Sequence, residues 1–210
     1  MTVAVAVCCP EGAVIAADGL SHSNPPSADS WLIGPKVEIV PEAPWAGAWF
    51  SFWTRPIHRE PLPLDLATAA SMVWYWTRGA TFHNPSPLRA QPQVLMAGTD
   101  ADGRVRLVHL TTGLTEWAPP AGAVYVAGLA TVPEAGITIE PPAAPQTLQD
   151  AVQLAVRLVR DYIAAWYRRD GMWDLRDYQA AGLLPPVGEP VHAAVIEPGR
   201  VHLEETWAPA

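Results

Sequence analysis

Two short apolar runs, Val3-Ala4-Val5-Ala6-Val7-Cys8 and Ala13-Val14-Ile15-Ala16-Ala17, flank a Pro10-Glu11-Gly12 turn near the start of the chain. Their β-branched content and the turn between them predict adjacent antiparallel strands over 3–8 and 13–17. A turn centred near Pro10 and Glu11 makes paired positions sum to about twenty-one. That register sets Asp18 opposite Val3, one step from Thr2. Lys36 heads a further apolar run, Val37-Glu38-Ile39-Val40. A hydroxyl, a carboxylate and an ammonium therefore converge at one sheet end. A threonine at a free amino terminus is also a nucleophile that carries its own base.

The rest of the chain alternates strands and helices. Further strands are predicted at 37–40, 47–52, 93–99, 104–110, 123–127, 191–196 and 201–205, with the 93–110 hairpin turning around Asp100-Ala101-Asp102-Gly103. Residues 20–35, rich in Ser, Asn and Pro, read as an irregular connection. One helix is predicted over 64–78, stopped by Gly79. A stronger one starts at Thr147, with Asp150 as the capping partner. On it Leu148, Ala151, Val152, Ala155, Leu158, Val159, Tyr162, Ile163 and Trp166 share one face, which leaves Arg157, Arg160 and Arg168 on a solvated side. The order points to an α+β fold, stacked sheets with outer helices, in one domain spanning 1–210.

Composition narrows the function. Half of the residues are apolar and the formal net charge is −8, with no basic cluster, so nucleic acid is not the expected partner. No signal-peptide pattern opens the chain and no run of eighteen or more apolar residues offers a membrane span, so a soluble cytoplasmic protein is expected. The cysteines, Cys8 and Cys9, are strand neighbours that point to opposite faces, so they are expected as packed thiols without a disulfide. His22, His58, His83, His109, His192 and His202 lack metal-ligand spacing. No phosphate loop, nucleophile elbow or dinucleotide fingerprint is present, and neither metal nor cofactor is expected. The aromatic patch Trp45, Trp49, Phe50, Phe52 and Trp53 reads either as core or as an apolar substrate wall or subunit contact.

Several segments, in order, resemble the proteasome family of N-terminal nucleophile hydrolases. They are the Thr2-led strand, Ala16-Ala17-Asp18-Gly19, Lys36 at the head of the next run, and Trp45-Ala46-Gly47-Ala48. Leu95-Met96-Ala97-Gly98-Thr99-Asp100-Ala101-Asp102-Gly103 and the closing His192-Ala193-Ala194-Val195-Ile196-Glu197-Pro198-Gly199 complete the set. The Asp-Gly pair is similar to that of the bacterial two-ring protease subunit that works with an ATP-driven unfoldase. The resemblance implies a four-layer αββα sandwich, a homo-oligomer, and peptide or unfolded-protein substrates. It also implies a catalytic set: Thr2 as nucleophile, Asp18 and Lys36 beside it, and Gly47 as oxyanion donor. Asp170 matches a supporting aspartate after the last long helix.

The chemistry implied for these residues has one covalent prerequisite. The Thr2 amine is free only once Met1 is removed, which the small threonine side chain permits. Near a reference pKa of about 7.7–8.0 that amine can serve as the base. Lys36 would favour deprotonation of the amine and hydroxyl, Asp18 would hold Lys36 charged, and the Gly47 amide would stabilise the oxyanion. The sequence departs from the family at several places. Ala127-Gly128-Leu129-Ala130 carries a leucine where the family has serine, and Val187-Gly188-Glu189-Pro190 lacks a second serine. Prolines interrupt the regions of the family's other helices, so helices are expected to be shortened or missing, and 171–186 reads as an insertion. A non-catalytic scaffold or binding protein is therefore the competing expectation, followed by a small-molecule amidase.

Overall fold

The computed structural model describes residues 2–22, 31–39, 45–50, 65–83, 93–111, 114–119, 121–128, 136–140, 142–183, 185 and 187–206. Strands β1 (Val3–Cys9) and β2 (Gly12–Asp18) form the expected hairpin, with Ala4 opposite Ala17 and Cys9 opposite Gly12. They lie at the centre of an antiparallel sheet ordered β10-β1-β2-β11-β12, completed by β10 (Ala123–Gly128), β11 (Val191–Glu197) and β12 (Arg200–Thr206). A second antiparallel sheet runs β5-β6-β7-β8-β9, from β5 (Val37–Ile39), β6 (Trp45–Phe50), β7 (Gln93–Thr99), β8 (Val105–Thr111) and β9 (Thr115–Trp117).

Strand alternation sorts the first sheet's side chains into two environments. Val3, Val5, Val7, Val14, Ala16, Val191 and Ala193 pack under α2 (Leu148–Arg169). Ala4, Ala6, Ala13, Ala17 and Ala194 instead face the second sheet, against Ala46, Leu95, Ala97 and Leu107. The side chains are bulky toward the helix and mostly alanine between the sheets, where two pleated surfaces must approach to about 10 Å. Beyond the second sheet, α1 (Leu66–His83) buries Leu66, Ala69, Ala70 and Val73 against Trp45, Val94, Met96, Val108 and Leu110. The fold is thus α+β, with two five-stranded antiparallel sheets and few helices among the described residues. No helix among them is long and apolar enough to cross a membrane.

Four local expectations change. The 20–35 connection carries two short paired strands at its ends, β3 (Leu20–His22) and β4 (Trp31–Ile33), the second an apolar Trp-Leu-Ile run. Helix α1 continues through Gly79 to His83, two residues before Pro85. Glycine lowers helix stability by about 1 kcal/mol but does not end a helix, whereas proline restricts the residue before it. The 171–186 segment carries α3 (Leu175–Ala180), started by a capping box in which Asp174 and Asp177 satisfy each other's backbone N–H groups. Arg160 is not a solvated decoration: it forms a salt bridge with Glu189 at 2.9 Å. Helix α2 begins as expected, the Thr147 hydroxyl accepting from the Asp150 N–H.

The cysteines behave as packed thiols. Cys8 faces the inter-sheet core and Cys9 the α2 side, and both are free and buried. Burial, and secondarily the neighbouring Cys9, pushes the Cys8 thiol up to about 11. Of the aromatic patch, Trp45 is core under α1, while the side chains of Trp49 and Phe50, and all of Phe52 and Trp53, lie outside the described residues. Trp74 packs partly against the α1 core, and Tyr75 beside it is 73% exposed.

Candidate active site

The end of the β1–β2 hairpin collects the expected catalytic groups through backbone pairing. Asp18 closes β2 and is fully buried. Its Oδ1 accepts the N–H of Val3, the residue that the hairpin register sets opposite it, at 2.8 Å. Thr2, itself buried, is the residue that precedes this bond. Asp18 Oδ2 accepts from Lys36 Nζ at 2.6 Å, a pair in which the lysine side chain is only 10% exposed. Lys36 reaches it because β3 and β4 zip the intervening chain back, and the Gly34 N–H then bonds the Gly19 carbonyl at 3.0 Å. Asp18 is therefore a bridge between the backbone next to Thr2 and the Lys36 ammonium.

A loop just before β11 covers the other side of Asp18. The Gly188 N–H donates to Oδ2 at 3.3 Å. In return the Gly19 N–H donates to the Gly188 carbonyl at 3.1 Å and to the Pro190 carbonyl at 2.6 Å. Gly19 is needed for that approach: a Cβ there would lie 2.7 Å from the Pro190 oxygen and 2.8 Å from the His192 ring. His192 is buried with Nε2 3.0 Å from Glu205 Oε2, which makes it a packing residue as its scattered spacing implied.

The remaining expected site residues sit on other elements. Gly47 sits within β6, opposite Glu38 of β5 on one side and Met96 of β7 on the other. An N–H inside a ladder paired on both edges is engaged with a strand neighbour. Asp170 caps the C-terminus of α2, and its Oδ2 accepts the Tyr178 hydroxyl at 2.7 Å. Leu129 lies outside the described residues. The residues near Asp18 that sequence reasoning missed are Gly188 and Tyr167. Tyr167 donates its hydroxyl to the Val187 carbonyl at 3.0 Å. Its phenol is held well above the usual range by burial first, then by the negative charge of Asp18 and Glu189.

No family model and no curated protein matches the chain. Solved structures do. Anbu from Hyphomicrobium sp. strain MC1 superposes with a TM-score of 0.62 at 15% identity, over 98% of this chain and 88% of that one. A mutant of the same protein gives 0.61 at 16% identity, over 99% and 88%. Anbu (ancestral beta-subunit) from Yersinia bercovieri gives 0.61 at 13% identity, over 97% and 86%. At these identities the likeness is one of fold, and the chain has the proteasome-like α+β fold of these proteins.

Proposed function

We propose that the protein is a threonine-type N-terminal nucleophile hydrolase, a peptidase, acting through Thr2 after Met1 is removed. The observation that carries this reading is the buried Asp18 carboxylate, joined at once to the Val3 N–H and to Lys36 Nζ. Lys36 is thereby fixed beside the chain's first strand, and Thr2 is the hydroxyl at that strand's head. In the reaction, the Thr2 Oγ attacks the carbonyl of a peptide bond and its proton passes to the Thr2 α-amine. The tetrahedral oxyanion collapses, the amine hands the proton to the departing nitrogen, and an ester remains on Oγ. Water, deprotonated by the same amine, hydrolyses that ester and frees Thr2.

Lys36 opposes protonation of the amine and hydroxyl electrostatically, and Asp18 keeps it oriented. The Gly47 N–H is the proposed oxyanion donor, a role that requires it to exchange its strand partner for the substrate. Asp170 supports from the C-terminus of α2. The reading treats 1–210 as one domain in a four-layer αββα sandwich, and the protein as a cytoplasmic homo-oligomer. Its substrates are peptides or unfolded chains, with an ATP-driven unfoldase as the expected partner. In Met1-free protein, Thr2→Ala lowers peptide turnover by about 10³-fold or more, and Lys36→Ala does the same. Full turnover by Thr2→Ala would reject the reading.

A second reading has its own observation. The described residues of the 187–190 loop carry no hydroxyl, and it is a backbone N–H, of Gly188, that meets Asp18. A scaffold or binding protein with this fold needs no more than that. It predicts stability and partner binding that survive Thr2→Ala unchanged, with no Thr2-dependent turnover of any peptide or small amide.

A further inference from the structure

We infer that Tyr167 is a positioning residue: its hydroxyl hangs the 187–190 loop from α2 and so holds the Gly188 amide on the Asp18 carboxylate. A buried carboxylate is stable only when its oxygens are met by donors. Oδ1 has the Val3 N–H and Oδ2 has Lys36 Nζ and the Gly188 N–H. The first donor is fixed by a strand, and the second by the return of the β3–β4 hairpin. The third sits on a loop with no ladder of its own, which the Gly19 N–H holds from the strand side at the Gly188 and Pro190 carbonyls.

Two side chains of α2 hold it from the helix side. Tyr167 Oη donates to the Val187 carbonyl, and Arg160 Nε pairs with Glu189 Oε1 at 2.9 Å, one contact on each side of Gly188. The fit around Gly188 is tight: a Cβ there would lie 3.0 Å from Tyr167 Oη and 3.1 Å from Leu20 Cδ2. Tyr167 in turn cannot swing away. Its ring meets Tyr178 edge-on at 5.1 Å, and the Tyr178 hydroxyl is tied to Asp170. Asp170 thus reaches the site through two tyrosines rather than by contact. Burial and the nearby negative charge keep the Tyr167 phenol protonated, as a donor must be. The consequence is that the site orients its carboxylate with a backbone amide, which carries no signature in the side-chain sequence.

The kinetic part rests on the Thr2 reaction proposed above; the structural part does not. The experiment compares Met1-free full-length protein with Tyr167→Phe, reading the Gly188 amide exchange rate by NMR together with kcat and KM for peptide turnover. Tyr162→Phe is the control, because it removes the same kind of phenol-to-carbonyl bond, to Ile139, elsewhere on α2. Tyr167→Phe is expected to speed Gly188 exchange about tenfold and to lower kcat about tenfold or more, with KM within about twofold. Tyr162→Phe is expected to leave all three near wild type. Gly188 exchange unchanged in Tyr167→Phe, or equal effects of the two variants, overturns the inference. If wild-type turnover does not depend on Thr2, the proposed reaction fails and the exchange comparison alone decides the positioning role. Should Tyr167→Phe not fold, Tyr178→Phe takes its place, because it cuts the Asp170 tie that pins the ring packed on Tyr167. Faster Gly188 exchange in that variant supports the inference, and unchanged exchange overturns it.

Discussion

Asp18 concentrates the residue-scale energetics. Its carboxylate has no solvent and its partner Lys36 has little, so the pair is stable only as a pair. Asp18→Asn keeps the shape but leaves a nearly buried ammonium facing a neutral amide. Urea denaturation is expected to show a loss on the order of 3 kcal/mol. An effect within about 0.5 kcal/mol would mean that Lys36 escapes to water. Gly19→Ala tests the adjoining backbone contact, since its methyl would meet the Pro190 carbonyl and the His192 ring. A loss of about 1–3 kcal/mol is expected from that overpacking. Cys8 is the third residue-scale case. With its thiol pushed up to about 11, it is protonated at neutral pH and shielded by the facing sheet, so iodoacetamide should label it only after unfolding. As pH rises the unfolded chain releases this proton first. The thiol's contribution to stability is therefore intact below the ordinary thiol range and is lost as pH climbs toward about 11.

At the scale of elements, local chemistry explains what could be read in advance. The β1–β2 register was legible because a short turn between two period-two runs leaves one pairing that buries both faces. Helix α2 was legible from its apolar face and from Thr147, and Thr147→Ala should cost about 1 kcal/mol, measurable by thermal or urea unfolding. The β3–β4 pairing was not legible, because two three-residue strands, Leu20–His22 and the apolar Trp31–Ile33, flank a Ser-, Asn- and Pro-rich middle and are too short to show a period. Helix α3 did leave a signal, Asp174 three residues before Asp177, hidden within a segment read as an insertion. The Asp18–Lys36 pair followed from register and resemblance together. Gly188 and Tyr167 did not, because a backbone donor and the phenol that hangs its loop lie far apart in sequence and match no motif.

For the whole molecule, the alanine-lined interface between the sheets and the bulky layer under each helix place the hairpin end where two sheets and α2 meet. The proposed self-association belongs here. Tyr75 on α1 is largely exposed, so Tyr75→Asp should leave the fold intact. If α1 faces another subunit, light scattering will show a closed oligomer for the wild type and a monomer for the variant. A wild type that is monomeric at every concentration would rule self-association out. Whether Thr2 is the nucleophile is decided by intact and peptide mass spectrometry of protein from the native host, treated with a β-lactone probe. The expected product is a chain lacking Met1 that carries a single acyl adduct on Thr2. A chain that retains Met1, or that lacks it and stays unmodified, would refute the proposed role of Thr2.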